Sequence, residues 1–271
     1  MMMKKSVLIF SKVPAIGFVK TRLSQTTILS DSEVNLIAEA MLKDTIIIAS
    51  RSKANIIEIG YYPEHSFNKL EKIVDSIQKT HDLTIPISYH LQQGSSFDER
   101  FESVVQASID NGNDFIVVLG ADLPYMPSSL INSAFTHLNL KENLNNIVIG
   151  PAGEGGVYLV GLSRSFIPSW FRKFKLFTDG VEIIQIAKFC KLEEIELYLL
   201  TPLVDIDIEE DLVSLLAFIE VLKIAENNDN FHYPHYTIKA IESLGLYIKE
   251  IKGKTRDRTI GKYKPSDSNA S

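Results

Sequence analysis

The chain has little cysteine: Cys190 is the single one among 271 residues. One cysteine excludes an internal disulfide framework and a cysteine-rich zinc site. Because Cys190 lies in a segment with a helical pattern, residues 181–191, we interpret it as a buried core residue rather than a nucleophile.

Long apolar runs are also missing. No stretch approaches the roughly 18 apolar residues that a bilayer-spanning helix needs. The apolar stretch that follows Met1–Lys5 ends at Ser11, which is too early for a signal peptide, and no small-residue cleavage site follows. We therefore expect no membrane partner and a cytoplasmic location.

An excess of positive charge is absent as well, since the formal net charge is −6. Domains that bind nucleic acid usually carry a basic face, so we expect no nucleic-acid partner. Hydrophobic residues make up 45% of the chain and charged residues 23%, as in ordinary globular proteins. For the oligomeric state, the sequence is consistent with a monomer and with a homodimer.

Strand and helix patterns alternate along the chain, which predicts an α/β sheet with crossover helices. We expect one large domain over residues 1–226, a helical and basic extension over 227–264 and a disordered tail over 265–271. The predicted strands are 7–10, 55–60, 85–91, 114–119, 146–150, 157–161 and 195–200, and the predicted helices are 30–50, 66–80, 96–110, 127–138, 177–191 and 208–225.

A basic loop follows the first predicted strand. Lys12, Lys20 and Arg22 crowd into it, and Pro14 and Gly17 interrupt regular structure there. Backbone N–H groups and cationic side chains together can neutralise a polyphosphate. Surface loops often carry Lys and Arg without any ligand, so this loop alone leaves phosphate binding open.

Two acidic positions follow other predicted strands. Asp122 comes directly after a buried strand, where open α/β sheets bind ligands, although an aspartate just before Pro124 is also typical of a turn. Asp205 and Asp207 are two residues apart, so in an extended segment their side chains face the same way. Such carboxylates suit Mg²⁺ or Mn²⁺. Helix capping is the alternative for Asp207, but it leaves Asp205 unexplained.

A glycine-rich segment, Gly150–Leu162, is the last candidate. Its glycines let the backbone approach a ligand closely. It is not a phosphate-binding Walker A loop, since no lysine follows, and a hairpin turn is the alternative. The residues of interest are Gly153, Glu154, Gly155 and Gly156.

These segments together resemble the DUF2064 group of glycosyltransferase-A-fold transferases, which is related to guanylyltransferases that act on the molybdenum cofactor and on 2-phospho-L-lactate. Lys12–Leu23 is similar to K-x-P-x-x-G-x-V-K-T-R-L, and Gly120–Pro124 to G-x-D-x-P. Gln93 and Gly94, with Glu99-Arg100, are similar to Q-G-x-x-x-x-E-R. Gly150–Leu162 is similar to G-P-A-x-D-G-G-Y-Y-L-I-G-L, with Glu154 in place of the aspartate. The resemblance covers roughly residues 6–216.

The resemblance implies a Rossmann-like glycosyltransferase-A fold, with a mostly parallel central sheet flanked by helices, and Mg²⁺ at Asp122. The phospholactate guanylyltransferases usually carry G-G-T-N where this chain has Gly155–Tyr158, and this departure weakens assignment to their substrate. The K-T-R-L and G-P-A-x-x-G-G motifs are specific together and weak apart.

We interpret the chain as a Mg²⁺- or Mn²⁺-dependent nucleotidyltransferase that resembles 2-phospho-L-lactate guanylyltransferase. The donor would be a nucleoside triphosphate, GTP before others, and the acceptor a small phosphorylated anion. The alternatives are glycosyl transfer from a nucleotide sugar and a catalytically silent nucleotide-binding regulator. In our interpretation the catalytic residues are Lys20, Arg22 and Asp122, and the metal ligands are Asp122, Asp205 and Asp207. The phosphates of the donor contact Lys12, Gly17, Lys20 and Arg22, and its base lies near Gln93 and Gly94. The acceptor pocket is shaped by Gly153, Glu154, Gly155 and Gly156.

Overall fold

A computed structural model describes residues 3–140, 145–225, 231–251 and 257–263. Seven strands form one central sheet, and two more form a hairpin near the end of the chain. The strands are β1 (Lys5–Lys12), β2 (Ile56–Tyr62), β3 (Ile87–Leu91), β4 (Phe115–Leu119), β5 (Asn146–Pro151), β6 (Val157–Ser163), β7 (Glu196–Leu199), β8 (Leu246–Glu250) and β9 (Arg258–Lys262).

The helices cover both faces of the sheet. The longest, α2, begins after the capping box that Ser30 and Glu33 form, as the sequence predicts. The helices are α1 (Thr21–Thr26), α2 (Asp31–Ser50), α3 (Phe67–Gln78), α4 (Phe97–Asp110), α5 (Ser128–Leu138), α6 (Trp170–Phe174), α7 (Glu182–Leu192), α8 (Glu209–Ile224) and α9 (His235–Ser243). None of these described helices combines the length and apolar character that crossing a bilayer requires.

The central sheet has the strand order β3-β2-β1-β4-β6-β5-β7. Every neighbouring pair is parallel except the two that involve β6, which runs antiparallel to β4 and β5. This confirms the predicted α/β class and the mostly parallel sheet with flanking helices. The chain leaves β1 toward β2 on one side and returns to β4 on the other, which creates a topological switch point between β1 and β4.

Two apolar cores lie on opposite faces of the sheet because side chains along a strand alternate. On β1, Val7 and Ile9 join the larger core, which includes residues of α2, α3, α5 and α8. Leu8 faces the second core, which contains Phe101 of α4 and residues of α7. Cys190 belongs to this second core, and burial raises the pKa of its thiol to about 11. An inert core thiol is what the sequence predicts.

The predicted C-terminal extension contains α9 and the β8–β9 hairpin. Asp44 of α2 is buried, and its carboxylate accepts hydrogen bonds from the Tyr236 and Thr237 amides at 3.2 and 2.8 Å. The Thr237 hydroxyl donates to the same carboxylate at 2.7 Å. Asp44 therefore caps α9 from another helix. The predicted disordered tail, residues 265–271, lies outside the described residues.

Candidate active site

The candidate site lies where β1 and β4 end. A cleft of about 390 Å³ opens there, at the switch point where such sheets bind ligands. This volume falls in the roughly 300–1,000 Å³ range of small-molecule sites. The cleft is lined by Phe10, Ser11, Lys12, Pro14, Phe18, Val19, Lys20, Thr21, Arg22, Ala38, Gln92, Phe97, Arg100, Ala121, Asp122 and Asp207.

Lys20 is the centre of the polar network. Its Nζ lies 2.9 Å from Asp122 Oδ1 and 2.7 Å from Asp207 Oδ1. The Lys20 side chain is only 8% exposed, whereas Asp122 and Asp207 are 41% and 36% exposed. Burial disfavours the ammonium, but the two carboxylates outweigh burial and raise the Lys20 pKa above its ordinary value. Three residues that are far apart in sequence thus meet in one charged cluster.

The backbone that carries Lys20 is specialised. Lys20 has the left-handed φ of 50° directly before α1, which is uncommon outside glycine. Leu23 anchors α1 because it is fully buried. The Thr26 hydroxyl at the end of α1 accepts a hydrogen bond from the Glu209 amide at 3.1 Å. This bond ties α1 to the start of α8, so the basic loop and the second acidic segment are held together.

Arg22 connects two other parts of the site. Its Nη1 donates to Asp207 Oδ2 and its Nη2 to Glu154 Oε2, both at 3.1 Å. The hydrogen bond from Arg22 to Glu154 is the largest reason why the Arg22 pKa is raised. Both side chains are largely exposed, so this contact is worth little energy by itself. It places the glycine-rich segment at the edge of the cleft.

The segment before α8 presents Asp207 to Lys20. The Asp211 carboxylate accepts hydrogen bonds from the Asp207 and Ile208 amides at 2.9 and 3.0 Å. Asp211 therefore caps the helix, and the side chain of Asp207 is turned to the cations instead. Burial raises the Asp207 pKa, but Lys20 and then Arg22 outweigh burial, and the net shift is downward. The alternative that the sequence left open, Asp207 as the N-cap of α8, is wrong.

Asp205 lies in a different environment from Asp207. Its Oδ1 accepts a hydrogen bond from the Gly153 amide at 3.2 Å. Burial, and then the charges of Asp207 and Asp122, raise the Asp205 pKa. The structure therefore brings Asp205 to the glycine-rich turn and close to the other two carboxylates, where it holds that turn in place.

Local geometry explains why glycines occupy several positions near the site. Gly155 has a φ of +82°, and a Cβ there would lie 2.4 Å from Val181. Gly17 has a φ of +72° in the basic loop. Gly153 and Gly156 belong to the same tight turn, which the Gly156 amide closes on the Gly153 carbonyl at 2.9 Å. The turn borders the site through Glu154 and Asp205.

A divalent cation fits the chemistry of Asp122 and Asp207. The Lys20 ammonium already lies between these carboxylates as a cationic group. Within the described ranges, no cluster of three or more His, Cys, Asp or Glu side chains is arranged to hold a metal. Two carboxylates suffice for Mg²⁺ when substrate phosphates complete its ligand set. The donor set therefore fits a divalent cation whose remaining ligands are phosphate oxygens.

Gln93 and Gly94 lie elsewhere. They line a separate pocket with Glu99, Glu102 and Arg172. Gly94 has a φ of +120°, and a Cβ there would lie 2.4 Å from the Glu99 Cβ, so the glycine lets the chain cross the start of α4. Neither residue lines the cleft, and their place beside the base of a nucleotide stays a prediction.

The sequence analysis did not assign a role to several residues of the cleft. Gln92 is buried and donates to the carbonyls of Ser11 and Gly60 at 3.0 and 2.8 Å, which joins the ends of β1 and β2. Arg100 adds a further cation to the cleft. It occupies the last position of the Q-G-x-x-x-x-E-R segment, so the signal for it was present in the sequence. Lys12 lies 4.9 Å from the ring of Phe18, and no local pattern predicts that aromatic wall.

A family described as "Uncharacterized protein conserved in bacteria (DUF2064)" matches residues 69–177. This match confirms the family resemblance over a stretch that contains Asp122 and the glycine-rich turn. No curated protein matches the chain.

Solved structures with the same fold match 80–89% of this chain. A proposed nucleotide-diphospho-sugar transferase from Desulfovibrio desulfuricans G20 is 24% identical, with a TM-score of 0.69 over 89% of this chain and 96% of its own. A cytidylyltransferase from Leptospira borgpetersenii is 15% identical, with a TM-score of 0.53 over 89% and 95%. A 4-diphosphocytidyl-2C-methyl-D-erythritol synthase from Anaerococcus prevotii is 12% identical, with a TM-score of 0.54 over 80% and 96%. These similarities confirm the predicted fold.

Proposed function

We propose that this protein is a Mg²⁺-dependent nucleotidyltransferase. It transfers a nucleoside monophosphate from a nucleoside triphosphate to a small phosphorylated acceptor and releases pyrophosphate. The observation that carries this proposal is the buried Lys20 ammonium between Asp122 and Asp207 in a cleft that also holds Lys12, Arg22 and Arg100.

The charges in the cleft suit a triphosphate that brings a divalent cation. Lys20 and Arg22 would contact the β- and γ-phosphates and neutralise pyrophosphate as it leaves, while Lys12 and Arg100 stand at the walls of the same cleft. Mg²⁺ on Asp122 and Asp207 would supply charge neutralisation at the phosphates. Such a transfer depends on positioning and electrostatics, so no protein nucleophile is needed.

The base of the donor is a separate question. GTP is the donor that the guanylyltransferase-like motifs favour. Two of the solved structures with this fold are named for cytidylyl transfer, so CTP belongs in every test. Glycosyl transfer is the second candidate, because the structure with a TM-score of 0.69 carries the description of a nucleotide-diphospho-sugar transferase. The number of cations in the cleft favours a triphosphate over a nucleotide sugar.

The test measures which leaving group appears. The purified protein is incubated with Mg²⁺, a small-metabolite extract and each α-labelled nucleoside triphosphate or labelled nucleotide sugar in turn. We expect label from a triphosphate in a small anionic product, together with pyrophosphate. Sugar transfer with release of a nucleoside diphosphate would favour the second candidate instead. Nucleotide binding without any product would indicate a silent regulator.

Asp122→Asn provides the internal control for the chemistry. The amide keeps the shape of the side chain but loses the charge that would hold Mg²⁺, so turnover should vanish while the thermal unfolding midpoint stays near that of the parent. Asp110→Asn is the matched variant, since Asp110 is an exposed residue of α4. Parental turnover of Asp122→Asn in saturating nucleotide would refute the assignment.

A further inference from the structure

A second pocket of about 280 Å³ adjoins the cleft. The two share Phe10, Phe97 and Asp122 as lining residues. Asp122 therefore stands at the junction, with the cationic cleft on one side and this pocket on the other. The lining also includes Phe101, Val157, Phe177 and Glu182.

One wall of the pocket is aromatic. The Phe97 ring centroid lies 5.1 Å from that of Phe10 and 5.2 Å from that of Phe177. The Phe101 centroid lies 4.7 Å from that of Phe177. Rings packed at these separations stabilise one another, so the wall is a continuous aromatic surface. Phe97 is 40% exposed, which leaves part of its surface available to a ligand.

The charge of the pocket is opposite to that of the cleft. Of the described residues that line it, those with a charged side chain are Asp122 and Glu182, and no Lys, Arg or His is among them. Glu182 is the first residue of α7 and is partly buried. The preceding residue, Val181, packs against Gly155, so the glycine-rich turn fixes where α7 begins and where Glu182 lies.

We propose that this pocket binds the non-reacting body of the acceptor, and that this body is an apolar group with a hydroxyl or ammonium facing Glu182. This inference rests on the proposed function, because it takes Asp122 as the point of reaction. A second anionic group in the pocket would be desolvated beside the Glu182 carboxylate, and the described lining offers it no cationic side chain, which is costly. An apolar body gains by covering the aromatic wall, and an ammonium gains further from the rings and Glu182.

The acceptor then has two unlike ends. Its reacting phosphate faces the cleft, where Lys20 and Arg22 can neutralise charge. Its body faces Phe97, Phe177 and Glu182. Small acceptors with two anionic ends, such as a phosphorylated carboxylic acid, do not suit this division.

Three probes with the same ring and chain but different charge test the inference: 3-phenylpropan-1-ol, 3-phenylpropan-1-amine and 3-phenylpropanoate. Each is titrated into the full-length protein by NMR. We expect the alcohol and the amine to bind about tenfold more tightly than the carboxylate, as one charge-assisted contact would give. Glu182→Gln should weaken the amine about tenfold and the alcohol much less. Glu193→Gln, at the opposite end of α7, is the matched control and should change neither.

Val157→Phe narrows the pocket from its rim and should reduce binding of the probes while leaving triphosphate binding intact. Equal binding of the carboxylate and the amine, or no effect of Glu182→Gln, would overturn the inference. Unchanged probe binding by Val157→Phe would also overturn it, because the probes would then bind elsewhere. If no triphosphate yields pyrophosphate while the probe pattern holds, the proposed reaction fails and the charge preference of the pocket stands.

Discussion

Replacing Lys20 by methionine tests the central feature of the site. Methionine keeps an unbranched apolar stem and removes the ammonium that lies 2.9 Å from Asp122 and 2.7 Å from Asp207. A hydrogen bond to a charged group is worth about 1.5–3 kcal/mol, which corresponds to a loss of roughly 10- to 150-fold in triphosphate affinity. Monophosphate affinity should change much less, because the proposed contacts of Lys20 are with the outer phosphates.

The same substitution should strengthen the binding of Mg²⁺ alone. In the parent, the Lys20 ammonium would compete with the proposed metal for the carboxylates of Asp122 and Asp207. Without it, the two carboxylates repel each other and gain from a cation. Because they are 41% and 36% exposed, solvent screens the repulsion, and we expect a loss of about 1 kcal/mol in the free energy of unfolding rather than the larger loss typical of buried pairs.

The assay is calorimetric titration of the parent, Lys20→Met and Lys72→Met with triphosphate, with monophosphate and with Mg²⁺ alone. Lys72 is an exposed lysine of α3 and serves as the matched control. Equal losses for the two nucleotides would show that Lys20 does not act at the outer phosphates. Weaker Mg²⁺ binding by Lys20→Met would refute the competition between ammonium and metal.

Three further predictions concern the framework of the site. Burial raises the pKa of Glu58, but hydrogen bonds from His90 and neighbouring polar groups outweigh burial and lower this pKa to about 2. The ionised carboxylate should contribute about 3 kcal/mol to the free energy of unfolding above pH 4.5, and this contribution is lost as the pH falls toward 2. Denaturant titrations of Glu58→Gln should therefore show a stability that depends less on pH than that of the parent, and an equal pH dependence would contradict the prediction. Asp44→Ala leaves the buried Thr237 amide and hydroxyl without their acceptor and should cost about 2–3 kcal/mol in chemical denaturation, whereas Asp82→Ala at an exposed position should cost almost nothing. Gly155→Ala forces a Cβ to within 2.4 Å of Val181 at a φ of +82° and should lower turnover more than triphosphate affinity, because Val181 leads directly into Glu182 of the proposed acceptor pocket; equal effects on both would place the turn at the nucleotide.

The fold followed closely from local patterns. Apolar runs of strand length are local signals, and they predicted the seven strands of the central sheet. The Ser30–Glu33 capping box marks the start of α2 in the same local way. Boundaries were less secure. The helix predicted from residue 177 begins at Glu182, because Gly180, with a φ of +95°, lies in the turn before it. The short helices α1 and α6 and the β8–β9 hairpin were missed, and α9 was expected only as the helical character of the extension over 227–264, since tertiary contacts stabilise such short elements more than local propensity does.

The sequence by itself determined the α/β class, the family resemblance and the kinds of side chain at the strand ends. Only the tertiary structure decided which of them meet. Lys20, Asp122 and Asp207 converge because β1, β4 and the segment before α8 end at the same edge of the sheet. Gln93 and Gly94 follow β3, which lies two strands away from β1, and they face another pocket. Spacing along a chain reports neighbours within one element, whereas the meeting of charges from distant segments depends on strand order and on how each helix packs.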